Sequence, residues 1–207
     1  ERYSEIAPDS RRLVSLKSSE LRTTQYVANN KLADQRLQAM ETSVTGIMKI
    51  VQDLRTELVT ALNSNGKGQG AVSARATGKL AQIANLLNGN IDGRYLFSGS
   101  TVDRVPVDLT DPAFTAPPQI YPSVADTTYY QGDQAVASTQ ADDSVVINYG
   151  ITADDPAFEK IIRALNLTGT ASSNNDLDPL RGNEALRLID QAVTDLSGVI
   201  GRVGASR

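Results

Sequence analysis

Cysteine and histidine are both absent from the 207 residues. No disulfide framework can form. The standard zinc ligands are missing, and so are Ser–His and Cys–His nucleophile systems. Tryptophan is absent too and aromatics make up only 5% of the chain, so any core must be mainly aliphatic. No apolar run approaches the roughly 18–20 residues of a membrane-spanning helix. Base is not in excess either. Lys and Arg number 20 against 24 Asp and Glu, a net charge of −4. Arg11-Arg12 is the only adjacent basic pair, so the clustered cations of a nucleic-acid surface are lacking. Proline is missing between Pro8 and Pro106, which leaves a long stretch where nothing forces a helix to break.

What is present is a heptad seam. Leu37, Met40, Val44, Ile47, Val51, Leu54, Leu58 and Ala61 follow one another in strictly alternating steps of three and four. That spacing predicts a long helix packed lengthwise on other helices. Ile189, Ala192, Leu196, Val199 and Val203 repeat it near the C-terminus. The two seams are expected to pair antiparallel, which would bring Glu1 and Arg207 close together at one end of a rod. The first helix is expected to start after Pro8, with Asp9 or Ser10 as cap, and to stop in the flexible stretch Asn63–Gly70. A second helix carries Ala76, Leu80, Ile83 and Leu87 on one face. A third starts with Asp155 as cap and Pro156 as first helical residue. It carries Phe158, Ile161, Ile162 and Leu165, and a polar loop Thr168–Asp176 follows. The last helix begins at Asp178-Pro179 or at Asn183. Its Gly198, Gly201 and Gly204 imply either a close backbone contact with a neighbour or a frayed end.

The middle of the chain has another texture. Asn88-Gly89 and Asp92-Gly93 are hairpin-type turn pairs, and Arg94–Phe97 reads as a short strand. Pro106, Pro112, Pro117, Pro118 and Pro122 forbid long helices after Asp103. Strands are expected at Thr127–Gln131, Gln134–Ala137 and Ser144–Tyr149. The fold class that follows is mainly α with inserted β: an antiparallel bundle of about four helices with a hairpin. Residues 1–102 and 151–207 would form a discontinuous helical rod, and 103–150 an inserted β-rich outer domain.

A search for chemistry returns little. Asp142-Asp143 would point to opposite strand faces and cannot act as a dyad. Asp154-Asp155 is explained by capping. Gly66–Gly70 lacks the strand and spacing of a phosphate loop, and Tyr129-Tyr130 reads as packing rather than a sugar platform. No catalytic, metal or cofactor site is predicted, and an enzyme is disfavoured. The exposed polar set Asn88, Asn90, Asp92 and Arg94 at the end of the second helix reads as an assembly surface. Gly93, Tyr95, Phe97 and Gly99 are its structural anchors.

Three segments carry a family resemblance. Asn85–Ser100, with Gly93-Arg94-Tyr95-Leu96-Phe97-Ser98-Gly99, resembles a motif of flagellar hook-associated protein 3, the hook–filament junction protein of the flagellin superfamily. Ile147–Phe158 is similar to that family's return from its outer β domain into the helical core. Gly201-Arg202-Val203-Gly204-Ala205 resembles its last helix. The resemblance implies a structural, extracellular adapter joining hook to filament, exported unfolded. Its implied partners are neighbouring copies, the other junction protein, flagellin, and an export chaperone that binds a C-terminal segment. It also implies that the chain is a core fragment lacking the terminal polymerisation segments, and a monomer by itself. A flagellin, or a sensor or adhesin ectodomain with a helical stalk, are the alternative readings.

Overall fold

The computed structural model describes residues 2–64, 69–118, 120–169 and 177–206. Among these are the helices α1 (Arg2–Asn63), α2 (Gln69–Leu87), α3 (Pro156–Gly169) and α4 (Pro179–Ala205). The strands are β1 (Asn90–Ile91), β2 (Arg94–Tyr95), β3 (Ala137–Asp142) and β4 (Val145–Tyr149). They form two separate antiparallel hairpins, β1–β2 and β3–β4. α1 packs on α2 and α4, and α3 packs on the same two helices, closing a ring of four around one core. The expected fold class is what is observed.

Both heptad seams are buried along their whole length. Their pairing is antiparallel. Leu62, at the end of α1, meets Gly182 at the start of α4, where an added Cβ would come within 2.7 Å of the leucine. Further along, Arg55 and Asp190 form an ion pair at 2.6 Å. Asp155 and Asp178 cap α3 and α4, accepting from Ala157 N at 2.9 Å and Leu180 N at 3.2 Å. A short polar side chain before a proline satisfies one free N–H of the first turn, and the proline needs none.

Four expectations need correction. α1 does not start after Pro8: it is helical from Arg2 straight through Asp9 and Ser10. A proline that early removes one backbone hydrogen bond from a helix of 62 residues, and the flanking turns carry it. The described ends of the chain, Arg2 and Ser206, are not close. Glu1 and Arg207 lie outside the described residues, but Ser206 sits beside Ala33 and Leu37. The rest of α1 projects roughly 45 Å further at about 1.5 Å per residue. The α4 glycines make no close contact and do not fray the helix. Gly201 and Gly204 face open space, and α4 stays helical to Ala205.

The insert is the fourth correction, because it holds fewer strands than expected. Thr127–Gln131 is not a strand; it contributes only the isolated bridge between Tyr130 and Val107. Gln134–Ala137 merely leads into β3. The cause is local chemistry. Asp108, Asp111, Asp126 and Asp133 each accept from the backbone N–H two residues on, at 2.8 to 2.9 Å. Such turns compete directly with a sheet ladder. Of the two polar loops, residues 65–68 and 170–176 lie outside the described residues, while Thr168 and Gly169 belong to α3.

Candidate functional site

Asp92 and Gly93 make the tip of the first hairpin, with φ of 51° and 76°. Positive φ at both central residues matches the twist of the flanking strands. The pairs Asn90–Tyr95 and Ile91–Arg94 follow from that turn. Asn90, Asp92 and Arg94 are exposed. Tyr95 is half-buried, and Phe97 is fully buried, edge-on to Phe158 at 6.0 Å between ring centroids.

The segment after the hairpin is where rod and insert are tied together. Phe97 O accepts from Ala153 N at 2.9 Å, fixing the return into α3. Ser98 O accepts from Asp133 N at 3.1 Å. Gly99 has φ of 73°, and a Cβ there would lie 2.2 Å from Asp133 Oδ1, so only glycine fits. Asp133 also accepts from Ser100 N at 2.8 Å and from the Ser100 hydroxyl. That hydroxyl first, then the backbone N–H groups, holds its carboxyl below the usual carboxylate range. Tyr129, wholly buried, donates to Ala153 O at 3.0 Å. Packing accounts for it, as expected.

Asn88 has a different place from its three companions. Its amide donates to Val107 O and accepts from Val107 N, both at 2.9 Å. It is half-buried and clamps the start of the insert to the end of α2. Asn88 is therefore corrected from surface polar residue to structural clamp. Asn88→Ala is expected to cost about 1–3 kcal/mol, because Val107 keeps a buried backbone pair with no partner. Asn90→Ala is expected to stay within about 0.5 kcal/mol. Chemical denaturation of the two variants, side by side, checks the contrast.

A second tie was not foreseen. Glu159 and Arg163 are buried on α3 and paired at 3.0 Å. Arg163 donates to Ser123 O and, at 3.0 Å, to Ser123 Oγ. Glu184 of α4 accepts from Ser123 N and Oγ, both at 2.7 Å, and from Arg187 through two bonds of 2.8 Å. The insert is thus held to both helices through Ser123. Hydrogen bonding by Arg187, reinforced by Ser123, pulls Glu184 down to about 2. Burial pushes Glu159 up, opposed by the Asp126 N–H and by Arg163. The only local signal was an i,i+4 acid–base pair on an apolar helix; the partners lie 40 and 61 residues apart in sequence.

Beside the hairpin lies an open groove of about 250 Å³ between α1, β2 and β3. Arg36, Arg94, Tyr95 and Tyr149 line it together with Met40, Leu96 and Val136. Among the described residues there is no group of three or more acidic side chains placed to hold a metal. No helix of the described residues is long and apolar enough to cross a membrane. The arrangement holds the insert to the helices.

Comparison with known proteins shows what the chain is similar to. Residues 7–101 match the bacterial flagellin N-terminal helical region. The fold around that region, an antiparallel helical rod with an outer insert, is shared with flagellar hook-associated proteins. A Vibrio parahaemolyticus chain described as a flagellar hook-associated protein superposes with a TM-score of 0.71 at 16% identity, over 94% of this chain and 84% of that one. Proteins described as FlgL share the fold too. Bacillus cereus FlgL gives 0.63 at 18% identity, over 95% and 93% of the two chains. The flagellar junction protein FlgL from Legionella pneumophila gives 0.65 at 13%, over 95% and 92%. A sequence search of characterised proteins returns no match.

Proposed function

We propose that this chain is a structural subunit of the bacterial flagellum that joins hook to filament at the cell exterior. The observation that carries the reading is the coincidence of two independent likenesses. The N-terminal region matches flagellin helices by sequence. The whole fold matches hook-associated and junction proteins over at least 91% of its length. A flagellin would share the first likeness; the second favours the junction. The work is mechanical. Subunits bury surface against neighbouring copies, against the other junction protein on the hook side and against flagellin on the filament side. Export would proceed unfolded, with a chaperone on a C-terminal segment. The chain by itself is monomeric in this reading, because both seams are covered internally.

Residues 1–102 and 151–207 act as the rod and 103–150 as the outer module, although Val107, Tyr129 and Tyr149 of the insert share the rod's core. The assembly contacts fall on Asn90, Asp92 and Arg94, with Gly93, Tyr95, Phe97 and Gly99 holding them in place. Substituting Asn90 and Arg94 together should leave the melting curve within a degree or two, since exposed turn changes rarely exceed about 0.5 kcal/mol. It should nonetheless weaken filament attachment, read as reduced motility and flagellin shed into the medium. Unchanged attachment would reduce the hairpin to a plug at the end of the bundle.

A further inference from the structure

The groove beside the hairpin has a one-sided charge. Two arginines from distant parts of the chain, Arg36 on α1 and Arg94 on β2, line it, and no Asp or Glu does. This occurs in a chain whose acids outnumber its bases, 24 to 20. Arg36 donates through Nη1 to the Tyr149 hydroxyl at 3.3 Å. Its Nε is buried and has no acceptor among the described residues. Arg94 is exposed and its guanidinium has no hydrogen-bond or ion-pair partner there. A buried guanidinium N–H without an acceptor is costly to keep, and the exposed Arg94 adds a second positive charge at the same groove that an entering anion would meet. A planar guanidinium fork selects carboxylate geometry.

The walls define the rest of the ligand. Met40, Leu96, Val102 and Val136 give an apolar surface suited to the methylenes of a side chain. The volume of about 250 Å³ suits one side chain rather than a folded element. Resting on the reading of the hairpin as an assembly surface, we infer that the Arg36–Arg94 groove receives a carboxylate side chain from an adjoining copy of this chain. Charge complementarity selects the occupant. The chain itself supplies exposed carboxylates such as Asp53 and Asp103, which pair with nothing among the described residues. The contact would fix the register between neighbours in the way that desolvated charge pairs set orientation at interfaces.

The test uses the full natural chain in cells lacking their own copy. Arg94→Glu and Arg36→Gln should each raise the flagellin shed under shear on the order of tenfold, as loss of a desolvated charge pair does. Arg94→Lys keeps the charge but loses the fork, so it should shed less flagellin than Arg94→Glu and more than the natural chain. The introduced amine also allows a zero-length carbodiimide cross-link. Junctions isolated from that strain should give a covalent species of twice the chain mass. Its cross-linked peptide should join the substituted position to an Asp or Glu of a second copy. Melting curves of purified Arg36→Gln and of Tyr149→Phe, which removes the same Arg36–Tyr149 bond, separate a folding defect from a docking defect. Normal attachment of Arg36→Gln with Arg94 variants shedding would overturn the groove and leave the hairpin reading intact. A cross-link to a different protein, or none to a carboxylate, would overturn the second copy as occupant. Normal attachment of every Asn90 and Arg94 variant would sink the hairpin reading itself.

Discussion

Phe97→Ala should destabilise the protein by about 3–5 kcal/mol, the range for emptying a fully buried aromatic site. Phe97 has no exposed surface and stands edge-on to Phe158, its ring at 84° to its neighbour's. Its backbone carbonyl holds Ala153 at the entrance to α3, and Ser98 and Ser100 just beyond it hold Asp133. The ring therefore fills the point where α2, the insert and α3 converge, and little can collapse into the space it leaves. For a chain of this size the loss corresponds to a fall in Tm of roughly 6–20 °C. Thermal and denaturant melts check it. A cost below about 1 kcal/mol would mean that the junction between rod and insert is loosely packed and that the conspicuous motif around it has some other purpose.

The second large effect depends on pH. The Glu184 carboxyl is pulled from its ordinary 4.5 to about 2, first by hydrogen bonding from Arg187 and also by Ser123. A carboxylate whose folded pKa is depressed adds stability that is present above the unfolded value. That stability is lost as pH falls from about 4.5 to about 2. At roughly 1.4 kcal/mol per unit, the contribution at neutral pH is on the order of 3 kcal/mol. Glu184→Gln should thus lose about that much at pH 7 and almost nothing near pH 2. Glu159 has the opposite sign. Burial raises it, so it favours the folded state below its unfolded value and blunts the acid limb. Stability curves of the wild type and Glu184→Gln that ran parallel from about pH 2 to 7 would show that the Glu184 charge adds no pH-dependent stability.

How far the sequence revealed this molecule depends on the range of the interactions involved. The seam from Leu37 to Ala61 was legible because a helix repeats its buried face every three or four residues, whatever covers it. Asp155-Pro156 and Asp92-Gly93 were legible because capping and tight turns are decided within four residues. The insert was misread because its aspartates, each bonding the backbone two residues on, look like ordinary polar positions between strand-forming residues. Asn88 was misread for a similar reason: its partner Val107 is 19 residues away. The Ser123 tie and the Arg36–Arg94 groove were invisible. Each joins side chains from segments that no local pattern connects, and Arg36 sits on α1 as one charged residue among many.

The account stands or falls on where the filament begins. Cells with this gene deleted and the rest of the flagellar set intact should be examined by electron microscopy, with flagellin measured in the medium. The account predicts completed hooks without filaments and flagellin secreted unassembled, both reversed by restoring the gene. Filaments of normal length and number on the hooks of the deletion strain would contradict it.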